Sequence, residues 1–414
     1  MSFPKKNVLI IGAGGVAQVV AHKCAQANDR LGDLHIASRT RAKCEAIIAS
    51  VHEKSAMKQP GVFEAHAVDA TDTAAVAALI RKTGAGIVIN VGSAFVNIYV
   101  LEACIETGAA YMDTAIHEDP AKICETPPWY GNYEWKRREA CEKAGVTAIL
   151  GIGFDPGVVN VWARVAEEML DRVTSIDIVD INAGSHGKYF ATNFDPEINF
   201  REFTGTVYSW QQGAWQSNRM FEVGKTWTLP VVGAQKAYLT GHDEVHSLSA
   251  RYPEADVRFW MGFGDHYINV FTVLKNLGLL SEQPVKTAEG QEVVPLKVVK
   301  AVLPDPASLA PGYTGKTCIA DVVRGEKDGK PVELTIYNVA DHKEAFEEVG
   351  SQGISYTAGV PPVAAAILIA EGTWDVGRMV NAEELDPKPF INLLNTMGLP
   401  SRIIDENGDR ELAF

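Results

Sequence analysis

Short apolar runs alternate with helix-period segments along the first 150 residues of the chain. Six runs of strand length lie at residues 8–11, 34–37, 64–68, 87–91, 110–113 and 147–150. Helical patterns separate them at residues 16–27, 41–53, 73–82, 96–107 and 134–143. Because parallel strands are joined by crossover helices, this alternation predicts an α/β fold with a parallel sheet.

The pattern changes after Leu150. A helical run at residues 158–170 is followed by strand-like stretches, and the long, turn-rich loops between them carry most of the aromatic residues. These stretches lie at residues 175–181, 207–208, 257–260, 319–323 and 334–338. This mixture of a helix, strands and long loops predicts a second domain of the α+β class. A further apolar helix is predicted at residues 356–371.

A glycine-rich turn follows the first predicted strand and opens the first predicted helix. Gly12, Gly14, Gly15, Val16 and Ala17 fit the pattern G-x-G-x-x-G/A. The first glycine allows a tight turn, the second lets backbone amides approach a pyrophosphate, and the helix N-terminus favours the anion. The first domain is therefore predicted to be a Rossmann dinucleotide-binding domain, in which Gly12, Gly14, Gly15 and Val16 contact the cofactor.

The end of the second predicted strand lacks the acidic residue that selects NAD by binding the ribose 2′-hydroxyl. Ser38, Arg39 and Thr40 stand there instead, with Lys43 close behind. A guanidinium and hydroxyls suit a 2′-phosphate, so these four residues predict NADPH rather than NADH. The alternative is a solvated helix cap in which Ser38 or Thr40 is the N-cap, and the two roles are compatible.

Other strand ends are expected to line the same crevice, because ligands of open parallel sheets bind at the carboxyl ends of the strands. Taken alone, each of these residues is more simply explained as a turn former or, for Asp155, as an N-cap with Pro156 at the first helical position. The further candidates for cofactor contacts are Asp69, Ala70, Asn90, Gly92, Thr114 and Asp155.

The composition is acidic. The 414 residues include 38 Lys plus Arg and 52 Asp plus Glu, a formal net charge of −14. Nucleic acids and anionic membranes require clustered cations, so neither is expected as a partner. A cationic or amphoteric small molecule fits this charge better.

The cysteine content indicates a reducing compartment. No C-x-x-C pair occurs, and the cysteines are expected to be buried thiols. The apolar run at residues 8–11 is too short for a signal peptide, and no segment approaches the ~18–20 uninterrupted apolar residues of a membrane span. We expect a cytoplasmic protein. The six cysteines are Cys24, Cys44, Cys104, Cys124, Cys141 and Cys318.

No metal site is predicted from the sequence. His242 and His246 have the spacing of two metal ligands on a helix, but Glu244 stands between them where H-E-x-x-H would need a different order. A polar substrate contact or an ordinary surface is the preferred interpretation.

Several motifs together resemble the saccharopine-dehydrogenase-like superfamily. They are the glycine loop, the missing acidic residue, the pair Asp113 and Thr114, and the Gly-Ile-Gly-Phe-Asp-Pro-Gly stretch at residues 151–157. Within the superfamily, residues 182–195, 260–265 and 303–315 resemble the carboxynorspermidine dehydrogenase subgroup. The resemblance extends from residue 8 to about residue 390.

The resemblance implies NADPH-dependent reductive condensation of L-aspartate β-semialdehyde with 1,3-diaminopropane or putrescine, giving carboxynorspermidine or carboxyspermidine. It also implies a homodimer and a terminal helix that returns to the nucleotide domain. The domains are then expected at residues 1–155, completed by about 355–414, and at 156–354, where the substrate binds and the dimer forms.

This chemistry needs a proton relay, for which His186, Asp113 and His242 are candidates. The distal ammonium of a diamine needs carboxylates, and an aromatic face adds a cation–π contact. The carboxylate of the semialdehyde needs donors. The substrate candidates are Asp195, Glu244, Asp265 and Trp260 for the ammonium, and Asn193 and Arg201 for the carboxylate.

Two alternatives stay open. A saccharopine reductase joins an amino acid amine to an aldehyde by the same chemistry, but the amino acid headgroup needs Arg or Lys where a diamine needs Asp or Glu. A non-catalytic NADPH-binding sensor is the other. Such a sensor would tolerate a second domain poor in convergent polar groups.

Overall fold

The computed structural model describes residues 5–122, 125–128 and 132–414. Its first sheet has seven parallel strands in the order β17-β6-β5-β4-β1-β2-β3. Six of them follow the predicted runs, and the seventh comes from the C-terminal part of the chain. The strands of this sheet are β1 (Asn7–Ile11), β2 (Leu34–Ser38), β3 (Phe63–Ala67), β4 (Ala85–Asn90), β5 (Ala110–Asp113), β6 (Ala148–Leu150) and β17 (Met379–Asn381).

Helices cover both faces of this sheet. Alternate residues of β1 explain this, since Val8 and Ile10 join one buried cluster while Leu9 and Ile11 join the other. A short 3₁₀ turn replaces the first part of the fifth predicted helix. The helices are α1 (Gly15–Gln26), α2 (Arg41–Glu53), α3 (Thr73–Thr83), α4 (Asn97–Thr107) and α5 (Arg138–Ala144), with 3₁₀ turns at Ala94–Val96 and Trp135–Arg137.

The second sheet has ten strands and mixed directions. Its centre is β7, which pairs in parallel with β12 and antiparallel with β15. The loops expected between the predicted strands contain further strands. The strands are β7 (Arg172–Asn182), β8 (Thr206–Gln211), β9 (Ala214–Arg219), β10 (Gly224–Leu229), β11 (Gly233–Thr240), β12 (Asp256–Gly262), β15 (Lys316–Lys327), β16 (Lys330–Asp341), β18 (Arg402–Asp405) and β19 (Gly408–Glu411).

One face of the second sheet shares the larger core with the first domain. Ile178 and Phe259 lie on this face and belong to the same cluster as Trp162 of helix α6 (Val158–Met169). The other face packs a separate cluster that includes Trp227 and Trp260. The remaining elements are α7 (Pro196–Thr204), α8 (Glu244–Arg251), α9 (Asp265–Asn276), β13 (Val285–Lys286), β14 (Glu292–Val293), α10 (Pro295–Val302), α11 (His342–Val349), α12 (Gly353–Ala370), α13 (Pro387–Thr396) and 3₁₀ turns at Pro306–Gly312 and Ala382–Glu384.

The C-terminal segment divides between the two sheets. Strand β17 pairs with β6, whereas β18 pairs with β16 and carries β19. The expectation that residues 355–414 complete only the first domain is therefore wrong for residues 402–411. The free edge of β16 offers backbone groups that β18 satisfies.

Helix α12 is long and apolar enough to cross a membrane by length and composition, but 89% of it is buried within the protein. It packs closely on α1, because a Cβ placed on Gly359 would lie 2.6 Å from the Cβ of Val19. Such burial is that of a core helix. Five cysteines are free and buried, and Cys124 lies outside the described residues.

Candidate functional site

The glycine loop has the geometry of a phosphate cradle. Gly12 has φ +125°, and a Cβ there would lie 2.6 Å from the carbonyl oxygen of Val91. No described atom lies within 4 Å of the position that a Cβ on Gly14 would take, so the space above it is open. Since α1 begins at Gly15, its first amides face this space. The loop therefore fits a dinucleotide pyrophosphate.

The segment before α12 closes one side of the loop. Ser351 Oγ donates to the carbonyl oxygen of Gly15 at 3.1 Å. A Cβ on Gly15 would lie 2.7 Å from Ser355 Oγ, so a larger residue would push α12 away. Gly15 thus serves helix packing, which adds to the cofactor contact predicted for it; Val16 beside it is half-buried.

The end of β2 presents cationic groups to solvent. Arg39 and Lys43 are exposed, and neither forms an ion pair with any residue in the described part of the chain. Ser38 Oγ accepts a hydrogen bond from the Thr40 backbone amide at 3.2 Å. Thr40 occupies the N-cap position of α2 but makes no side-chain cap bond. The arrangement leaves Arg39 and Lys43 available for a 2′-phosphate.

The residues predicted after β3 and β4 have local structural partners. Asp69 Oδ1 accepts from the amide and hydroxyl of Thr71 at 3.0 and 2.8 Å, which makes it a turn former. Asn90 is buried, donates to Asn97 at 2.9 Å and accepts from the amide of Gly92 at 3.2 Å. These side chains shape the backbone of the crevice. Ala70 lies in the Asp69 turn.

Asp113 joins β5 to the segment that leads into the second domain. Its carboxylate accepts from the Gly151 amide and from the Tyr111 hydroxyl, both at 2.7 Å. Burial raises the pKa of Asp113 to about 7, although both hydrogen bonds oppose the shift. Thr114 lies beside Gly153, whose Cβ would be 3.3 Å from the Cβ of Thr114. Asp113 thus holds the crossover in place.

A group of ionisable side chains, the cleft cluster, lies where the two domains meet. Its centre is His242, whose Nδ1 is hydrogen-bonded to the Glu244 carboxylate. Glu244 is the first residue of α8, which packs against the inner face of the second sheet. The cleft cluster consists of Asp155, Asp180, His242, Glu244 and Asp321.

Sheet register explains why two of these acids meet. Asp180 of β7 pairs with Ile319 of β15, and Asp321 follows two residues later, so both acids point to the same face. Phe259 of β12 is on that face too, and its ring is parallel to the His242 ring with centroids 3.9 Å apart. Asp155 reaches the group from the crossover, where Gly157 rather than Asp155 is the N-cap of α6.

The cleft cluster carries more acid than base. Burial and the charge of Asp180 raise the pKa of Asp155 well above its usual range. Burial raises the pKa of Asp180 to about 6. For His242, burial lowers the pKa, but Glu244 and Asp155 outweigh it and raise the pKa to about 10. The imidazole is therefore protonated at neutral pH, and the site favours cations.

Several oxygens of the cleft cluster lack a partner. Within the described residues, both carboxyl oxygens of Asp321, Oδ1 of Asp180 and Oε1 of Glu244 are buried without a hydrogen bond. Buried carboxyl oxygens normally have partners, so four such oxygens in one place are acceptors that the described residues leave unsatisfied. A ligand ammonium has three donors.

A second polar group extends the cleft. Asn182 donates to the hydroxyl of Tyr313, which donates to Asn193 Oδ1, both at 2.7 Å. The ring of Tyr313 is stacked on His342 with centroids 3.8 Å apart, and His186 meets its edge at 5.6 Å. Burial raises the pKa of Tyr313 to about 12.

This second group connects with the rest of the site. Gln352, the N-cap of α12, donates to the carbonyl oxygen of Asn193 at 3.1 Å. The Asp180 charge contributes to the raised pKa of Tyr313, so the second group adjoins the cleft cluster. The structure therefore brings His186 and Asn193 towards the cleft.

Three predicted substrate residues have other partners. Trp260 lies on the opposite face of the second sheet from Phe259 and donates to Asp177 at 2.9 Å. Asp195 is the N-cap of α7 and pairs with Lys300 at 3.0 Å. Arg201 donates to backbone carbonyls of the loop at residues 119–122. The structure thus places Trp260 away from the cleft cluster, because successive strand residues face opposite sides.

Asp265 is also separate from the cleft cluster. It is exposed in the first turn of α9, where a carboxylate interacts favourably with the helix dipole. Of the acids predicted for the ammonium, Glu244 alone belongs to the cleft cluster. Asp180 and Asp321 were missed. The signal that could have found them is an acid with apolar neighbours on both sides within a strand, as in Ile-Val-Asp-Ile and Ile-Ala-Asp-Val.

The glycine cradle, the exposed cations after β2 and the polar cleft define an NADP-dependent oxidoreductase of two domains. Residues 8–149 match the family described as Saccharopine dehydrogenase NADP binding domain, and residues 153–399 match Saccharopine dehydrogenase C-terminal domain. The chain belongs to the saccharopine dehydrogenase family. The predicted family, fold class and NADP cofactor are confirmed.

Relatives resemble the chain over nearly its whole length. It is 47% identical over 398 residues to a carboxynorspermidine synthase of Vibrio alginolyticus, and the match covers 95% of each chain. It is 41% identical over 396 residues to a carboxyaminopropylagmatine dehydrogenase of Synechocystis sp., and the match covers 95% of this chain and 96% of the relative.

A solved structure shares the fold. It is apo saccharopine dehydrogenase (L-Glu forming) from Saccharomyces cerevisiae, with a TM-score of 0.69 and 15% identity. The match covers 96% of this chain and 100% of the other. At this identity the similarity concerns the fold.

Proposed function

We propose that this protein catalyses the NADPH-dependent reductive condensation of L-aspartate β-semialdehyde with a diamine, 1,3-diaminopropane or putrescine. The product is carboxynorspermidine or carboxyspermidine, an intermediate of polyamine biosynthesis. The observation that carries the proposal is the cleft cluster, in which the carboxyl groups of Asp180 and Glu244 lie beside the cation His242 and four carboxyl oxygens have no hydrogen-bond partner among the described residues. An ammonium group complements this excess of acid.

The names of the relatives support the same class of substrate. Carboxynorspermidine synthase and carboxyaminopropylagmatine dehydrogenase are both named for a polyamine that carries a carboxyl group. Each such product has a cationic end remote from the carboxylate. We therefore assign the cationic end to the cleft cluster and the carboxylate to donors outside it.

The reaction joins two substrates and then reduces the product of their condensation. The neutral amine adds to the aldehyde carbon, the carbinolamine loses water, and the resulting iminium carbon accepts a hydride to give a secondary amine. NADPH supplies that hydride. The chain must bind the distal ammonium, donate a proton to the departing hydroxyl and exclude water.

We assign the proton transfer to His242. It is protonated at neutral pH, and it lies beside Asp155 at the crossover between the cofactor domain and the second sheet. Its hydrogen bond to Glu244 holds the ring with Nε2 free to face substrate. Asp113, with both oxygens engaged by Gly151 and Tyr111, is a positioning residue in this proposal.

The carboxylate of the semialdehyde has donors in the second polar group. His186 and Asn193 lie beside Tyr313, and their imidazole and amide N–H groups can donate. The Tyr313 hydroxyl donates to Asn193 Oδ1 and so holds that amide in place. Arg201 is not assigned this role, because its guanidinium is bonded to loop carbonyls.

Agmatine is a second candidate for the amine. The relative from Synechocystis is named for an agmatine product, and a guanidinium is a cation that also suits an acidic cleft. An amino acid headgroup, as in a saccharopine reductase, would place a second carboxylate against the acids of the cleft cluster. That pairing is unfavourable.

The test is NADPH oxidation by the purified protein with the semialdehyde and one amine at a time. We expect turnover with 1,3-diaminopropane, putrescine or agmatine, and kcat/KM for lysine at least about tenfold lower. Lysine as the preferred amine would overturn the cation assignment, and no oxidation with any amine would favour the sensor. Product masses identify the bond formed.

We also infer a homodimer in the cytoplasm that binds neither nucleic acid nor membrane. Apolar side chains exposed on α10, on α9 and just after α9 support self-association, because both helices pack on one aromatic core and water solvates exposed apolar side chains poorly. These side chains are Val273, Leu277, Val298 and Val302.

A further inference from the structure

Three potential metal ligands lie on one face of the first sheet, at its β3 edge. His35 of β2 pairs directly with Glu64 of β3, and His66 follows two residues later on the same strand. Because alternate residues of a strand point to the same side, all three side chains share one face. The two histidines are buried and the glutamate is exposed.

The ligand atoms converge. His35 Nδ1 lies 3.1 Å from His66 Nε2, and Glu64 Oε2 lies 4.0 Å from the first nitrogen and 3.9 Å from the second. The carboxylate is too far from either nitrogen for a hydrogen bond. Ligand atoms that bind one tetrahedral zinc at about 2.0–2.2 Å are roughly 3.3–3.6 Å apart, and the three separations, 3.1, 3.9 and 4.0 Å, bracket that range.

The chemistry of the three groups suits a metal. Burial lowers the pKa of both His35 and His66, and the neutral imidazole is the form that binds metal ions. A surface pocket of about 490 Å³ adjoins Glu64 and His66, which leaves space for a water ligand. Arg41 and Lys82 also line this pocket, so we expect moderate rather than tight binding.

We propose that His35, Glu64 and His66 form a site for a divalent transition metal, with Zn²⁺ as the best match. Two imidazoles and one carboxylate are a common zinc ligand set, and water would complete a tetrahedron. The ion would join the edge strand β3 to β2 and stabilise the cofactor domain. The site is independent of the cleft, so this proposal does not rest on the proposed reaction.

Calorimetry with Zn²⁺ on the full chain, free of tags, tests the site. We expect one equivalent to bind, and His66→Ala and Glu64→Gln to weaken binding at least about tenfold. His52→Ala is the matched control, because His52 is an exposed histidine at the end of α2 and its loss leaves binding unchanged. Circular dichroism verifies that each variant is folded.

Thermal unfolding gives a second readout. Zn²⁺ raises the Tm of the wild type and of His52→Ala, since a ligand that binds the folded state stabilises it, and leaves the Tm of Glu64→Gln unchanged. Glu64 is exposed, so this variant tests the site without disturbing the core. The proposal would be overturned if the wild type did not bind Zn²⁺, or if His66→Ala and Glu64→Gln bound it as tightly as the wild type does.

Discussion

The imidazole of His242 lies flat against the ring of Phe259, with centroids 3.9 Å apart and planes inclined by 10°. Phe259 belongs to β12 and packs in the main core, so its position is set by the sheet. The face of an aromatic ring attracts a cation, so this stacking stabilises the protonated imidazole. The sheet thus holds the proposed proton donor in one orientation.

Replacing the proposed proton donor, His242, should lower the rate of the chemical step. We expect His242→Gln to lower kcat by about 10²–10⁴, the usual value of general acid–base catalysis, while NADPH affinity stays within about twofold. His186→Gln should cost less than about tenfold, because we assign His186 to substrate binding. Single-turnover NADPH oxidation measures both. A larger loss for His186→Gln than for His242→Gln would reverse the two roles.

Cofactor preference should depend on Arg39. Only NADPH carries the 2′-phosphate, so Arg39→Ala should raise the Kd of NADPH by about tenfold or more and leave that of NADH almost unchanged. Arg41→Ala is the matched control, since Arg41 is two residues away and pairs with Glu45 at 2.9 Å. Cofactor fluorescence titration gives both constants. An equal loss for the two cofactors would contradict the assignment.

The affinity for a diamine should decrease in acid. The pKa of Asp180 is raised to about 6, so its carboxylate is charged above that pH and neutral below it. The preference for 1,3-diaminopropane over propylamine, which lacks the distal ammonium, should therefore fall as pH drops through about 6. Competitive inhibition by each amine measures the ratio.

Asp180→Asn provides the control for this pH effect. The variant should bind the diamine at least about tenfold more weakly near neutral pH, with a ratio that no longer changes between about pH 5 and 7. A ratio that falls with pH as steeply in the variant would assign the titration to another group.

Asp321 should destabilise the folded protein at high pH. Burial raises the pKa of Asp321 well above its usual range. Above the unfolded value of about 3.9, the unfolded chain has lost this proton while the folded state retains it, so stability falls as pH rises. Asp321→Asn removes this decrease in stability, because an amide does not ionise. Its Tm should exceed that of the wild type by about 2–4 °C near pH 8, and by less near pH 5.

Asp177→Asn is the contrasting variant. Asp177 is on the opposite face of β7 and pairs with Arg258 at 2.7 Å and Arg324 at 2.8 Å. Its loss removes a buried carboxylate that two half-buried arginines share, so the Tm should decrease. Calorimetry at both pH values compares the two variants. A lower Tm for Asp321→Asn near pH 8 would contradict the proposed burial cost.

Self-association should depend on the apolar surface of α9 and α10. Leu277 is 69% exposed and Val302 is 77% exposed. We expect the double variant Leu277→Asp, Val302→Asp to be monomeric, because charges in an apolar interface lose their hydration without gaining partners. Light scattering after gel filtration measures the mass. Val231→Asp, at a side chain that is 69% exposed between β10 and β11, is the control. A monomeric wild type would contradict the dimer.

Features that depend on residues adjacent in the sequence were predicted well. The six strands of the first sheet follow from apolar runs of four or five residues, and the glycine loop follows from residues 12–17. The additional strands β9–β11 were missed because their residues are mostly polar or exposed and lack the apolar alternation. A strand that is held by its neighbours need not carry its own pattern.

The sequence by itself determined the dinucleotide-binding domain and its NADP preference, since both depend on contiguous residues whose backbone geometry and charge are local properties. Only the tertiary structure decided which side chains share the cleft. Asp155, Asp180, His242 and Asp321 come from four distant segments, and they meet because the register of β7 and β15 and the packing of α8 bring them together. The same register separates Trp260 from this group, because a shift of one residue along a strand reverses the face.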